Sequence, residues 1–375
     1  MAAARGMAGN NRRSGSSLQV QLEERSYQVH VGAGALGRAG DLIRATAGRR
    51  GFVITDPRVN GLHGAALRAG LGRFEAETIL VPAGERQKSL RRAALLWDQL
   101  LSRGADRGSV IIAFGGGVIG DLAGFVAATY MRGLPYVQLP TTLLAQVDSS
   151  VGGKVAINHP RAKNLIGAFH QPRVVVADVS VLSTLRPRDY REGLAEVAKA
   201  AAIADRALFG WLEQNRADVL GRDPEALTHL VRRCCEIKAR VVEADERESG
   251  PRALLNFGHT VGHALESLTG YGALRHGEAV SIGMAGGARV SRLLGLFSEE
   301  DEERLAALLA GFGLPTKIAG LGAPAVLDRL RLDKKAIGGV PRLVLLTAIG
   351  QAEWGRQVPP RILRAALRGI GATAC

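Results

Sequence analysis

The stretch Ser109-Val-Ile-Ile-Ala-Phe-Gly-Gly-Gly-Val-Ile-Gly-Asp-Leu-Ala-Gly-Phe125 decides the fold class of this chain. Its first half, up to Phe114, has the composition of a buried strand, and its second half continues as an apolar helix. Gly115, Gly117 and Gly120 satisfy G-x-G-x-x-G at the turn, where glycines let the backbone approach a pyrophosphate and the helix N-terminus supplies amide donors. The stretch therefore predicts a nucleotide-binding α/β unit, with a purely structural glycine turn as the alternative.

On both sides of this turn, short β-branched runs alternate with helical patterns, which is typical of a mostly parallel sheet covered by helices. The predicted strands are 27–31, 51–55, 77–81, 109–114, 135–139 and 173–177. From residue 187 onward, apolar spacing favours helices at 191–212, 224–244, after Asn256, and at 278–294, 299–311 and 359–368, with a short strand pair around 343–347. We therefore expect a disordered tail at 1–17, an α/β Rossmann-like nucleotide-binding domain at 18–185 and a mostly α-helical domain at 186–375.

Length and composition agree with a two-domain globular protein. The chain has 375 residues, of which 46% are hydrophobic and 22% charged. Only three cysteines occur and two of them, Cys234 and Cys235, are adjacent, which excludes a disulfide framework and predicts a cytoplasmic protein. The most apolar stretch, 110–131, is interrupted by Asp121 and several glycines, so we expect no membrane span.

The formal charge of +14 raises the question of nucleic-acid binding. Lys and Arg total 49, but only eight are Lys, and the arginines are scattered without a basic block or an aromatic-interleaved stripe. We therefore expect no nucleic-acid partner. Where Arg is used so freely, a retained Lys indicates a site that needs a compact ammonium group.

Two of these lysines belong to one turn-rich region. Lys154 ends the segment Leu139-Pro-Thr-Thr-Leu-Leu-Ala-Gln-Val-Asp-Ser-Ser-Val-Gly-Gly-Lys154, and Lys163 follows nine residues later. The segment is not a Walker A sequence, because Val155 stands where Ser or Thr should follow the lysine. We interpret the pair as recognition of an anion, and solvated loop lysines are the alternative. The expected acidic ribose partner is missing from its usual place, so Asp56 and Glu85 are the candidates for ribose contacts.

His259 and His263 stand at i and i+4 and can present both rings to one cation, and His276 follows closely. Glu196 is the best candidate for a carboxylate ligand. An ion pair between Glu196 and Lys199 on a solvated helix face, and a core or capping role for each histidine, are the competing interpretations. No H-E-x-x-H sequence occurs, which disfavours a metalloprotease.

Together these segments resemble the 3-dehydroquinate synthase family. The matching runs are FGGGVIGDLAGFVAATYMRG from Phe114, LPTTLLAQVDSSVGGK ending at Lys154, KNLIGAFHQP from Lys163, GLAEVAK ending at Lys199, LNFGHTVGHALE from Leu255, HGEAVSIGM from His276 and DKK at Asp333. The resemblance implies an NAD domain, a helical metal-binding domain and a homodimer. It also implies conversion of 3-deoxy-D-arabino-heptulosonate 7-phosphate into 3-dehydroquinate and phosphate, in the shikimate pathway of aromatic amino acid biosynthesis.

Site residues are implied by the same resemblance. Zinc or cobalt would be held by Glu196, His259 and His276, so that His263 faces the substrate. The NAD contacts would come from Ala83, Gly84, Glu85, Arg86, Gln87, Lys88, Gly117, Val118, Ile119, Gly120, Asp121, Thr141, Thr142, Lys154, Lys163, Val181, Leu182, Ser183 and Thr184. The sugar phosphate would meet Asp148, Lys154, Asn164, Lys199, Lys238, Arg252, Asn256, His263 and one or both of Lys334 and Lys335, with Arg132 reaching the partner subunit's phosphate site.

The implied chemistry is oxidation of a secondary alcohol by NAD, loss of phosphate, reduction by the same cofactor, ring opening and aldol closure. Other sugar phosphate cyclases, such as 2-deoxy-scyllo-inosose or valiolone-type synthases, are the nearest alternatives, and a net NAD-dependent polyol dehydrogenase is a further one. Asp148, Lys238, Arg252, Asn256 and His263 together favour dehydroquinate formation.

Overall fold

A mostly parallel sheet occupies the N-terminal half of the molecule. The computed structural model describes residues 16–270, 273–318, 320–331 and 342–373. The strands are β1 (Ser16–Val20), β2 (Tyr27–Gly32), β3 (Arg50–Thr55), β4 (Ala76–Leu80), β5 (Ser109–Gly115), β6 (Tyr136–Pro140), β7 (Lys154–His159), β8 (Ala162–Phe169) and β9 (Val174–Asp178). Seven of them form one sheet in the order β1-β2-β9-β6-β5-β3-β4, in which β1 pairs antiparallel and all other neighbours pair parallel.

The six predicted strands are all present, each within one residue of its predicted bounds. Two features of the N-terminal half were not predicted. Strand β1 begins at Ser16, so Ser16 and Ser17 belong to the sheet and not to the expected tail. The segment that carries Lys154 and Lys163 is not a loop, because β7 and β8 pair as an antiparallel hairpin outside the main sheet.

Helices cover the sheet and form most of the C-terminal half. They are α1 (Ala39–Thr46), α2 (Pro57–Leu71), α3 (Leu90–Ser102), α4 (Gly117–Thr129), α5 (Pro187–Ala204), α6 (Arg206–Gln214), α7 (Arg216–Gly221), α8 (Pro224–Ala244), α9 (His259–Leu268), α10 (His276–Leu293), α11 (Glu299–Gly311), α12 (Ala323–Arg331) and α13 (Pro360–Gly369). Strands β10 (Arg342–Ala348) and β11 (Gln351–Gln357) pair antiparallel. The predicted fold class is confirmed, and in the described part of the chain no helix has the length and apolar character needed to cross a bilayer.

The single helix predicted at 191–212 is wrong, because the structure divides this segment into α5 and α6. Asp205 stands at the break, where it ends α5. Its carboxylate accepts a hydrogen bond from the backbone N–H of Leu208 at 3.0 Å and so caps α6. Apolar spacing continues through the break, which is why periodicity alone did not reveal it.

The two halves share a hydrophobic core. Alternate residues of β5 face opposite sides of the sheet, so that Ile111 packs in one cluster and Ile112 in the other. The cluster containing Ile112 also includes Leu194 of α5 and Leu230 of α8. Helices of the C-terminal half are therefore packed directly on the sheet, and this packing fixes the elements that build the site.

Candidate active site

Three side chains from three helices of the C-terminal half converge on one point. Glu196 of α5 is 2% exposed, and its Oε1 lies 3.6 Å from Nε2 of His259 and 3.6 Å from Nε2 of His276. The three ligand atoms lie within 4.8 Å of one another. His259 begins α9 and His276 begins α10, so each imidazole projects from a helix N-terminus toward the same carboxylate. The structure thus brings together the three residues that the resemblance assigns to the metal.

This donor set suits a divalent cation. Two imidazole nitrogens and one carboxylate are a common set for zinc in catalytic sites, and three protein ligands leave a coordination position open. Both carboxylate oxygens of Glu196 are buried; Lys199 Nζ contacts Oε2, and Oε1 faces the two imidazoles. A buried carboxylate is costly unless it is paired with cations. The residues present therefore fit a Zn²⁺ or Co²⁺ ion.

Two buried lysines surround this point with positive charge. Lys199 forms an ion pair with Glu196 from one helical turn away, and Lys238 of α8 donates to Asp148 Oδ1 at 2.7 Å. Burial raises the pKa of Glu196, but Lys199 and His259 outweigh it and hold that pKa well below its usual value. Burial lowers the pKa of Lys238 despite the attraction of Asp148. The Glu196–Lys199 pair predicted as an alternative exists, but it is buried and not on a solvated face.

A second group of polar side chains lies around Glu248. Lys154, at the start of β7, forms an ion pair with Glu248, and Asn256 Nδ2 donates to the other oxygen of the same carboxylate at 2.9 Å. Glu248 thus links two residues that the resemblance assigns to the sugar phosphate. Arg252 is 1% exposed and donates to the carbonyl oxygens of Gly152, at 2.9 Å, and of Glu246. In this structure, two of the guanidinium nitrogens of Arg252 therefore bond the backbone.

The glycine turn forms the opposite wall. Strand β5 ends at Gly115 and α4 begins at Gly117, and no side chain caps the first turn of that helix. Its backbone N–H groups can therefore receive an anion. Lys88, which is 4% exposed, donates to Asp121 Oδ2 at 2.6 Å and also to Asn164. Burial raises the pKa of Asp121, and Lys88 opposes that effect.

These walls enclose a cleft of about 900 Å³. Residues of both halves line it, which is the arrangement expected for a ligand site between packed elements. The expected site residues that line it are Asp56, Ala83, Gly84, Glu85, Lys88, Gly117, Val118, Ile119, Asp121, Thr141, Thr142, Asp148, Lys163, Asn164, Thr184, His263 and His276. Asp56 also caps α2, because its Oδ1 accepts the backbone N–H groups of Arg58 and Val59.

Other expected residues lie outside the cleft wall. Val181 and Leu182 pack in the hydrophobic core, and Arg132 is exposed with φ of 68° on a turn after α4. Glu196, Lys199 and Lys238 are buried and His259 is half-buried, and none of these four residues lines the cleft. The other expected site residues that do not line the cleft are Arg86, Gln87, Gly120, Lys154, Ser183, Arg252 and Asn256. Lys334 and Lys335 fall outside the described residues.

Comparison with known proteins identifies the family. The model of the 3-dehydroquinate synthase N-terminal region matches residues 78–192, and the model of the C-terminal region matches residues 193–336. A 3-dehydroquinate synthase of Desulforamulus reducens is 48% identical over 341 residues, which cover 90% of this chain and 95% of that protein. The chain belongs to the 3-dehydroquinate synthase family. The resemblance on which the sequence analysis relied is thereby confirmed.

Solved structures of relatives agree with this membership. A 2-deoxy-scyllo-inosose synthase complexed with carbaglucose-6-phosphate, NAD⁺ and Co²⁺ is 26% identical, with a TM-score of 0.85 and coverage of 94% of this chain and 100% of that one. ValA, the 2-epi-5-epi-valiolone synthase of Streptomyces hygroscopicus subsp. jinggangensis, is 30% identical, with NAD⁺ and Zn²⁺ bound, a TM-score of 0.85 and coverage of 93% and 98%. A glycerol dehydrogenase of Schizosaccharomyces pombe, at 18% identity and a TM-score of 0.66, shares the fold.

Two carboxylates of the site, Glu266 and Glu248, were not predicted from the sequence. Glu266 of α9 is 5% exposed and lines the cleft, where its Oε2 lies 3.6 Å from His276 Nδ1. Burial raises its pKa, but His276 and Lys163 lower it to about 2. A signal for Glu266 was present, because it stands at i+7 from His259 and i+3 from His263 and thus on the same helical face. Glu248 had none, since it belongs to a charged segment with the composition of a solvated loop.

Proposed function

We propose that this chain catalyses the conversion of 3-deoxy-D-arabino-heptulosonate 7-phosphate into 3-dehydroquinate and phosphate, a carbon–oxygen lyase reaction of the shikimate pathway. The observation that carries the proposal is the convergence of Glu196, His259 and His276 beside the same cleft that the glycine turn of α4 lines. Identity of 48% to a 3-dehydroquinate synthase over nearly the whole chain supports this reaction over those of the cyclases at 26–30%.

Glu196, His259 and His276 would hold a divalent cation, Zn²⁺ or Co²⁺, which supplies Lewis-acid polarisation of a substrate oxygen. The wall formed by the first turn of α4, Asp121 and the residues around Gly84 would hold NAD, which supplies a hydride acceptor and donor for a transient oxidation. In the solved relatives, NAD⁺ is bound together with Co²⁺ or Zn²⁺, which supports this assignment.

The substrate's phosphate and carboxylate need cationic and hydrogen-bonding partners. Lys154, Asn164, Asn256 and His263 would provide them, and Lys154 and Asn256 already bind a carboxylate in this structure, that of Glu248. A bound phosphate would compete for the same donors. Charge-assisted hydrogen bonds of this kind strengthen the binding of an anion and also fix its position. A multi-step reaction on one substrate depends on such positioning.

The substrate would also be contacted by Asp148, Lys199 and Lys238. Lys199 remains an ammonium, because Glu196 and Asp148 raise its pKa against the effect of burial. It therefore contributes a fixed positive charge close to the metal ligands, and such a charge favours an oxygen that is becoming anionic. The carboxylate of Asp148 is held by Lys238, which leaves its other oxygen for a substrate hydroxyl proton.

The proposal extends to assembly and compartment. We also propose a homodimer in which Arg132, which is exposed in this chain, reaches the phosphate site of the partner subunit. The free, buried thiols of Cys234 and Cys235 support a reducing, cytoplasmic environment.

Purified protein supplied with the heptulosonate phosphate, Zn²⁺ and a trace of NAD tests the reaction. We expect phosphate release and dehydroquinate formation without steady accumulation of NADH, loss of both with a chelator, and recovery on adding Zn²⁺. Glucose 6-phosphate is the control substrate for a cyclase of the inosose type. Phosphate release from glucose 6-phosphate but not from the heptulosonate phosphate would indicate a cyclase of the inosose type. Steady NADH accumulation from a polyol would indicate a dehydrogenase. Either result would contradict the proposal.

A further inference from the structure

The imidazole of His276 lies between two carboxylates. Its Nε2 is 3.6 Å from Glu196 Oε1, and its Nδ1 is 3.6 Å from Glu266 Oε2. Nε2 faces the atoms of the candidate metal cluster, so Nδ1 is the nitrogen available to Glu266. The ring therefore presents its two nitrogens to two different chemical environments.

His259 shows the same division of roles. Its Nε2 faces Glu196 Oε1 at 3.6 Å, while its Nδ1 lies 3.2 Å from the backbone carbonyl oxygen of Phe257. Both histidines thus turn Nε2 toward the same carboxylate and Nδ1 toward an acceptor outside the cluster. In metal sites, this second contact fixes the tautomer and the orientation of the ring.

Glu266 is itself held from a second direction. Its Oε1 accepts a hydrogen bond from Lys163 Nζ at 3.2 Å, and Lys163 belongs to β8 of the hairpin. Because one oxygen is fixed by the hairpin, the other is aimed at His276. The side chain is 5% exposed, so water does not compete strongly for either oxygen.

We infer that Glu266 is a positioning residue of the metal centre: when a cation binds Nε2 of His276, the Glu266 carboxylate, 3.6 Å from Nδ1 in this structure, accepts the Nδ1–H and fixes that tautomer of the ring. The inference rests on the proposed function, since it requires that Glu196, His259 and His276 hold a divalent cation. Loss of such an outer carboxylate typically lowers metal affinity by about 10–100-fold.

The experiment must distinguish this positioning role from an alternative in which Glu266 binds the metal directly. His263, Glu266 and His276 also place three ligand atoms within 4.8 Å of one another. A cation there would use the Nδ1 side of His276 and would engage an oxygen that already pairs with that ring. The nitrogen of His276 that binds the metal distinguishes the two roles, because a positioning residue leaves Nε2 as the ligand, whereas a cation held directly by Glu266 would bind at Nδ1.

The test measures Zn²⁺ affinity by competition with a chromophoric chelator, in the full chain and without substrate. Glu266→Gln keeps the size of the side chain and removes its charge, and we expect about 10–100-fold weaker binding of a single ion. Glu302→Gln is the matched control, because Glu302 of α11 is also a buried carboxylate and pairs with Arg292 of α10 at 2.6 Å. We expect this control to bind Zn²⁺ as tightly as the unmodified chain, and Glu266→Asp to recover part of the lost affinity.

A second measurement needs no variant. In the Zn²⁺-loaded chain, ¹⁵N NMR of the histidines should show His276 protonated at Nδ1 and metal-bound at Nε2. Metal bound at Nδ1, two ions per chain with one lost in Glu266→Gln, or unchanged affinity in Glu266→Gln would each overturn the inference. If the unmodified chain binds no Zn²⁺, the metal site of the proposed function fails instead, so the two failures are distinguishable.

Discussion

Gly283→Ala tests how the candidate metal cluster is held together. Gly283 lies on α10, and an ideal Cβ at this position would stand 1.9 Å from the carbonyl oxygen of Gly258 and 3.0 Å from the amide nitrogen of Gly262. Because Cβ atoms essentially never approach other atoms closer than 3.0 Å, the 1.9 Å contact requires α9 and α10 to separate by at least about 1.1 Å, the difference between those distances.

The separation acts directly on the ligands. Gly258 precedes His259, and His276 begins α10, so moving the two helices apart moves two ligands apart. Overpacking of a well-packed interface costs about 1–3 kcal/mol. Metal–ligand distances tolerate only about ±0.2 Å, and a misplacement of about 1 Å can cost about 100-fold in turnover. We therefore expect the free energy of unfolding to fall by about 1–3 kcal/mol, Zn²⁺ binding to weaken and turnover to fall about 100-fold.

Gly286→Ala is the matched control on the same helix. The nearest atom to an added Cβ there is Cδ1 of Ile370 at 3.1 Å, the end of a flexible side chain. Alanine favours a helix over glycine by about 0.5–1 kcal/mol, so we expect this variant to be at least as stable as the unmodified chain and to bind Zn²⁺ equally well. Urea unfolding and chelator competition measure both quantities. A Gly283→Ala variant with unchanged stability and Zn²⁺ affinity would show that close packing of α9 on α10 does not hold the ligands in place.

Three further predictions concern the buried charges. Lys238→Met should lower the free energy of unfolding, measured in urea, by up to about 3 kcal/mol. This is the lower end of the cost of breaking a buried ion pair, and it applies because Asp148 is 31% exposed and can be partly solvated. An unchanged free energy of unfolding would contradict the assigned pairing. Burial raises the pKa of Asp148, but Lys238 and Lys199 outweigh it and lower that pKa. The stabilising contribution of Asp148 is therefore present above the unfolded-state pKa of about 3.9 and is lost as the pH falls through the lower folded-state pKa. The stability difference between Lys238→Met and the unmodified chain should accordingly shrink as the pH falls below about 4, and a constant difference would argue against the ion pair. Lys88→Met removes a charge-assisted bond to Asp121 and should weaken NAD binding at least about tenfold in calorimetric titration, whereas unchanged NAD affinity would remove Lys88 from the nucleotide site.

The parallel strands and the glycine turn could be predicted because their signals are local. Strands β5 and β9 are buried along their whole length, so they read as continuous apolar runs. The hairpin could not be predicted, because most of β8 is exposed and no alternation of polar and apolar residues marks its faces. Strand β1 is held by its pairing with β2, a contact between segments that no pattern within β1 specifies.

The candidate site, too, could be predicted only in part from the sequence. Glu196, His259 and His276 could be proposed because the resemblance names them, whereas spacing alone suggested His259 with His263. The difference is tertiary, because the position of α10 against α9 decides which imidazoles meet Glu196. The buried state of the Glu196–Lys199 pair was likewise beyond the sequence, since its i,i+3 spacing is the same on a solvated face.

The positions of bound zinc and NAD can be measured together in a crystal structure of the chain with both ligands, with diffraction data collected at the zinc absorption edge. We predict one anomalous peak at bonding distance, about 2.0–2.2 Å, from Glu196, His259 Nε2 and His276 Nε2, with the nicotinamide in the cleft between that peak and α4. Zinc bound instead by His263 and Glu266, or NAD bound away from the glycine turn, would contradict this prediction.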